Sequence, residues 1–197
     1  MQREERADAA RNRQAILAAA DRLFANSSAP GAVTMDDIAR AAGVGKGTLF
    51  RRFGDRTGLI RYLYAQRLAP LRQRIESGPQ PLGPGTPARR RVGAIIDAIA
   101  VTKFENMHLT SALEAAESAG SLYGSPDYRD VHALLTGLLA PDLGSRQAAW
   151  SAHLLLAAVR ADLLRHLVHE DGMTTDQVRS QLKALVGQLL PPDGPGA

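Results

Sequence analysis

MDDIARAAGVGKGTLFRRF, Met35 to Phe53, decides the reading of this chain. Two short helical patterns meet at Gly43, with Ala39 four residues before it and Leu49 six after it. Two helices that cross steeply need a small residue at their closest contact, here Ala39. The turn between them needs a residue that tolerates positive φ, here Gly43. Val44, Leu49 and Phe53 then lock the second helix onto the first, with Ile38 packing from the other side. The spacing predicts a helix-turn-helix, whose second helix enters the DNA major groove. The alternative from the same signal is an αα-corner with no DNA role. Glycine inside a helix costs about 1 kcal/mol relative to alanine. Gly43 serves the turn, Gly45 lies at the helix edge and Gly54 ends the helix. Gly47 is the costly one, and it predicts close approach of the backbone to DNA.

The surrounding pattern is helical throughout. A first helix is expected over about 7–25, with Ala15, Ile16, Ala19, Ala20, Leu23 and Phe24 as one apolar stripe at three- and four-residue spacing. Thr34 and Asp37 read as a capping box for the helix at about 35–42, with Asp36 and Asp37 favouring its positive end. A third helix follows near 45–54, and a fourth, capped by Asp55, runs over about 56–77. GPQPLGPGTP, 78–87, is too rich in breakers to be helical and reads as a connection between an N-terminal and a C-terminal module. Five further helices are expected at about 88–105, 107–119, 127–140, 145–169 and 174–190, and the tail 191–197 is expected to be disordered.

Composition agrees with a nucleic-acid partner at one end. Residues 1–77 hold 14 Lys/Arg against 8 Asp/Glu, net +6, and residues 78–197 hold 10 against 12, net −2. A basic first third on a slightly acidic remainder points to DNA contact confined to that third. The 197 residues hold no cysteine, which excludes disulfides, zinc–thiolate sites and cysteine nucleophiles and fits a reducing cytoplasm. No apolar run approaches the roughly 20 residues of a membrane span, and the polar N-terminus has no secretory h-region.

The segments RQAILAAADRLFAN and VTMDDIARAAGVGKGTLFRRFGDRTGLIRYLY resemble the DNA-binding domain of TetR-family transcriptional regulators over Ala15 to Leu63, about a quarter of the chain. The rest matches in outline only. The resemblance implies an all-α protein: a three-helix helix-turn-helix domain at 1–55, a long connecting helix at 56–77, the Gly/Pro loop at 78–87, and an α-helical effector-binding and dimerisation domain at 88–190. It implies a homodimer that binds a double-stranded, palindromic operator and is released by a small molecule. It also places Gly45, Lys46, Gly47, Thr48, Phe50 and Arg52 against DNA, with Arg56 as a phosphate ligand and Thr34 aiming a helix N-terminus at a phosphate. Family members usually carry Tyr where this chain has Phe50, which lacks the hydroxyl that would bond a phosphate. Arg51 stays ambiguous, being about 100° from Arg52 on the helix. The arm with Arg3, Arg6, Arg11 and Arg13 reads either as a DNA-binding arm or as a solubilising tail.

In the C-terminal half, Leu155, Val159, Leu163, Val178, Leu182, Leu185 and Leu189 are the expected dimer residues, because helix 145–169 is apolar over more than one face. Candidate effector-lining residues are Phe104, Met107, His108, Leu113, Glu117, Tyr123, Tyr128 and Trp150. The run LYGSPDYRDVHALLTGLL, 122–139, resembles a Tyr-x-Ser-Pro segment of some TetR-like C-terminal domains. His166 and His169 have metal-binding spacing, but the stronger reading places them as histidines of a last helical turn, suited to its negative end. No catalytic order of residues, phosphate loop or HExxH appears, so an enzyme, a cofactor and a metal are not expected. The remaining alternative is a constitutive, architectural DNA-binding protein without effector.

Overall fold

The computed structural model describes residues 2–27, 32–116 and 123–190. Among these residues it is all-α, with ten helices and no strand. They are α1 (Gln2–Asn26), α2 (Met35–Ala42), α3 (Lys46–Phe53), α4 (Arg56–Ser77) and α5 (Ala88–Glu105), then α6 (Met107–Ala116), α7 (Pro126–Leu143), α8 (Ser145–Ala158), α9 (Ala161–His169) and α10 (Thr175–Leu189). The chain forms two compact units. The first is Met1–Gln66 with His108–Ala116, and the second is Arg67–Met107 with Glu117–Ala197.

The first unit is held by the apolar stripe of α1. Ile16, Ala20 and Phe24 pack on Val33, Met35, Ile38, Ala39, Leu49, Leu59, Ile60 and Leu63. The start of α2 carries the full capping box. The Asp37 backbone N–H donates to Thr34 Oγ1 and the Thr34 N–H donates to Asp37 Oδ2, both at 3.2 Å. These bonds with Thr34 hold the Asp37 carboxyl below its usual range. α2 ends at Gly43 with φ 65° and ψ 30°. The Val44 N–H returns to the Ala39 carbonyl at 3.1 Å, closing the turn in the left-handed form that glycine allows. α1 starts at Gln2, so the arm expected before it is helical.

α6 also belongs to the first unit. Leu109 (0% exposed) and Ala112 complete its core, with Leu113 packed against them. His108, expected to line an effector pocket, faces Asp21 of α1 instead, with its Nε2 3.6 Å from the carboxylate.

The second unit packs Leu71 and Ile75 of α4 with α5, α7, α8, α9 and α10. The loop 78–87 lies inside this unit and is pinned to it. Leu82 is buried, and Arg91 donates to the carbonyls of Leu82 and Ile75, each at 2.9 Å. A Cβ on Gly83 would stand 1.7 Å from the Gly78 carbonyl oxygen, so only glycine fits there. The bidentate pair of Arg179 with Asp97, at 2.7 and 2.9 Å, ties α10 to α5.

Two further helix boundaries differ from expectation. α7 runs on through Pro141, at the cost of one backbone hydrogen bond, and stops at Gly144 with φ 74°. The single helix expected over 145–169 is two, α8 and α9, with Arg160 extended at φ −65° and ψ 141° between them. Asp162 accepts from the Leu163 N–H at 2.8 Å and from Arg160 Nε at 3.0 Å, so a new helix start is stabilised where periodicity alone shows no break.

Candidate nucleic-acid interface

α3 presents two faces. Leu49 is fully buried and Phe53 half-buried, the latter packed edge-on to Tyr62 at 5.4 Å between ring centroids. Gly45, Lys46, Gly47, Phe50, Arg51 and Arg52 are exposed, and Thr48 is half-buried. Phe50 keeps 46% of its surface in solvent, an unusual position for an aromatic ring with no partner surface to cover it. Gly45 caps α3 in an extended conformation with no side-chain bond, and no acidic residue lies in its first turn. The backbone N–H groups there carry the positive end of the helix dipole toward solvent.

Gly47 is the informative glycine. A Cβ at this position would meet nothing within 4 Å. Nothing inside the protein therefore excludes a side chain, although glycine weakens the helix. The expectation left to test is close approach of DNA to this position. Gly47→Leu is expected to raise the stability of the first unit slightly and to weaken DNA binding by about tenfold, which is 1.4 kcal/mol. Thermal melting and a binding titration on the same variant check it, and unchanged binding would remove the close-approach explanation.

Two cations expected on DNA have partners within the chain. Lys46 forms an ion pair with Asp36 of α2, ten residues earlier. The Arg56 guanidinium donates to the Val33 carbonyl at 2.9 Å and lies 5.2 Å above the Phe24 ring. Arg56 thus fastens the start of α4 to the segment before α2, and Thr34 is spent on the cap. The Asp36–Lys46 pair was not legible in the sequence, because its members lie on different helices and meet only once the Gly43 turn is folded.

The expected effector residues are divided between the two units. His108 and Leu113 belong to the first unit, and Glu117 lies outside the described residues. In the second unit Phe104 and Met107 pack half-buried on the core. Tyr123 and Tyr128 meet edge-on at 5.2 Å, and Tyr128 Oη lies 2.7 Å from His153 Nδ1. His132 and His153, which sequence reasoning passed over, meet at 4.0 Å between centroids with their planes tilted by 33°. Trp150 is 60% exposed. Of the expected dimer residues, Leu155, Val159, Val178 and Leu182 are buried in the core of the second unit. Leu163 is exposed and Leu185 and Leu189 are half-buried.

His166 stands between Glu170 at 3.1 Å and Asp171 at 3.5 Å, ion-pair geometry at a helix C-terminus. Among the described residues, no group of three or more His, Cys, Asp or Glu side chains is placed to hold a metal ion, and no helix is long and apolar enough to cross a membrane.

Comparison with known proteins assigns the first unit. Residues 16–63 match the family described as "Bacterial regulatory proteins, tetR family". Over 184 residues the chain is 26% identical to the HTH-type transcriptional regulator SAR0097 of Staphylococcus aureus (strain MRSA252), covering 92% of this chain and 95% of that one. Among solved structures it resembles NalD of Pseudomonas aeruginosa, the secondary repressor of the MexAB-OprM multidrug efflux pump, with a TM-score of 0.65 and 21% identity over 94% of this chain and 98% of that one. A TetR-like regulator from Rhodococcus sp. RHA1 gives a TM-score of 0.63 at 19% identity, covering 92% and 97% of the two chains. The structural likenesses establish the fold. The match at 16–63 identifies that segment as a DNA-binding domain of the tetR type, and over most of its length the chain is similar to transcriptional regulators that carry one.

Proposed function

We propose that the protein is a homodimeric repressor that reads a palindromic operator through α3 and leaves it when a small molecule binds the second unit. The outer face of α3 carries the first part of this reading. Lys46, Thr48, Phe50 and Arg52 surround a glycine whose missing side chain serves no internal contact. In this reading 1–55 reads DNA, 56–77 connects, 78–87 is the Gly/Pro loop, and 88–190 binds effector and dimerises, with α6 lent to the DNA-reading unit. Repression is supported by the NalD likeness, since that protein is a repressor. The place of action is the cytoplasm.

The dimer face in this reading is the outer side of α7 and α8. Trp150 and Leu154 are 60% and 43% exposed, with Ala133, Gly137 and Ala157 exposed on the same two helices. Two recognition helices about 34–36 Å apart would then meet successive major grooves.

Selection of an operator from random DNA, followed by a screen for ligands that release it, tests the whole reading. A selected site without two-fold symmetry would sink the dimeric mode, and failure of every ligand class would leave a constitutive DNA-binding protein. On the selected site, Lys46→Ala is expected to weaken binding and to flatten the dependence of log K on log salt by about 0.9, the share of one phosphate contact. An unchanged slope would take Lys46 out of the interface.

A further inference from the structure

We infer that Asp36 is an affinity-setting residue of the DNA interface, an intramolecular stand-in for a phosphate that DNA must displace from Lys46. The inference rests on the DNA-binding reading of α3. α2 begins with two carboxylates that do different work. Asp37 is consumed by the cap, where it accepts from the Thr34 hydroxyl at 2.5 Å and the Thr34 N–H at 3.2 Å, and it also faces Arg40 at 3.4 Å. The cap does not use Asp36. Its carboxylate reaches across the Gly43 turn and pairs with the Lys46 ammonium at the first position of α3.

That position is where an anion would bind. The start of α3 is exposed at Gly45, Lys46 and Gly47, has no side-chain cap and no acid of its own, and carries Lys46 at its head. Asp36 supplies from the neighbouring helix the negative charge that α3 lacks. Both side chains remain open to solvent, 65% for Lys46 and 47% for Asp36, so an incoming phosphate can reach the pair. Exposed pairs of this kind are weak, so a phosphate in a groove-docked duplex can break it. Until it does, Lys46 is neutralised, and non-specific DNA, which is bound through phosphates, gains less from it. The carboxylate thereby lowers background binding without touching a base.

The test is a double-mutant cycle on the full chain, with mixed-sequence duplex DNA as the probe and salt as a variable. Asp36→Asn is expected to bind about two- to fivefold tighter, the range set by breaking one exposed pair, with a steeper salt slope. In a Lys46→Gln background the same substitution is expected to give no gain. A gain of equal size in that background would show plain repulsion between Asp36 and DNA and would overturn the inference. Weaker binding by Asp36→Asn would also overturn it, since the carboxylate would then be positioning Lys46 or contacting a base. A wild-type chain that binds no DNA at any salt takes the DNA-binding reading down first, whereas a wild type that binds and an unchanged Asp36→Asn remove only the role of Asp36.

Discussion

In the proposed dimer, Trp150→Glu is expected to leave the protein monomeric, with the association constant falling about a thousandfold. The indole stands 60% in solvent beside Leu154 on the outer face of α8, while the inner face, with Ala148, Ala152 and Leu155, is fully buried in its own unit. An aromatic anchor in a closed two-fold interface is lost twice per dimer, because each copy offers the same patch. One such anchor is worth about 2 kcal/mol or more, and two of them account for the thousandfold. The added carboxylate strengthens the effect, since desolvation of an unpaired charge is costly. Sedimentation velocity reads the outcome, and operator affinity should fall with the dimer because each half-site then binds alone. A variant that still sediments as a dimer would place the interface elsewhere. Leu163, exposed on α9, would be the next surface to change.

What the sequence reveals about this face shows where sequence reasoning stops. Periodicity over 145–169 signals more apolar surface than one neighbour can cover, and α8 does have two apolar faces. Periodicity does not say which face turns inward. The choice of Leu155, Val159, Val178 and Leu182 as dimer residues took the inner face, while Trp150 and Leu154 carry the outer one. The same limit applies at 159–160, where an Arg160–Asp162 contact, not a glycine or proline, starts a new helix. By contrast, the helix-turn-helix was legible almost residue by residue. Its determinants are local: a cap three residues wide, a left-handed glycine and an apolar lock within ten positions. Contacts between distant segments were not legible. Asp36 with Lys46, Arg56 with the Val33 carbonyl and Arg91 with the 78–87 loop all depend on where separate helices land.

A further non-local contact, that of α6 with the first unit, yields the second prediction. Leu109→Ala is expected to destabilise the first unit by about 2–5 kcal/mol, the range for a buried leucine replaced by alanine. Leu109 is 0% exposed and lies in one cluster with Ile16, Phe24, Ile38, Leu49 and Leu63, although it follows Leu63 by 46 positions in the chain. Nothing in the sequence of 107–116 marks it as part of the DNA-reading core. It has ordinary helical periodicity, and the resemblance that defines the first unit ends at Leu63. The packing requires α6 to be present for that unit to be complete. Ala112 and Leu113 seal the same surface, and the His108–Asp21 pair lies beside them. The two units can be followed separately in one denaturation experiment, since the single tryptophan, Trp150, belongs to the second. Loss of DNA binding with rising denaturant reports the first unit, and Trp150 fluorescence reports the second. In Leu109→Ala the DNA-binding midpoint should move to lower denaturant. A midpoint equal to that of wild type would mean that the helix-turn-helix unit stands without α6. The conservative Leu109→Met, which keeps the volume, should cost less than about 1.5 kcal/mol. That contrast separates loss of packing from any effect of α6 on the operator contacts themselves, because both variants leave every residue of α3 unchanged.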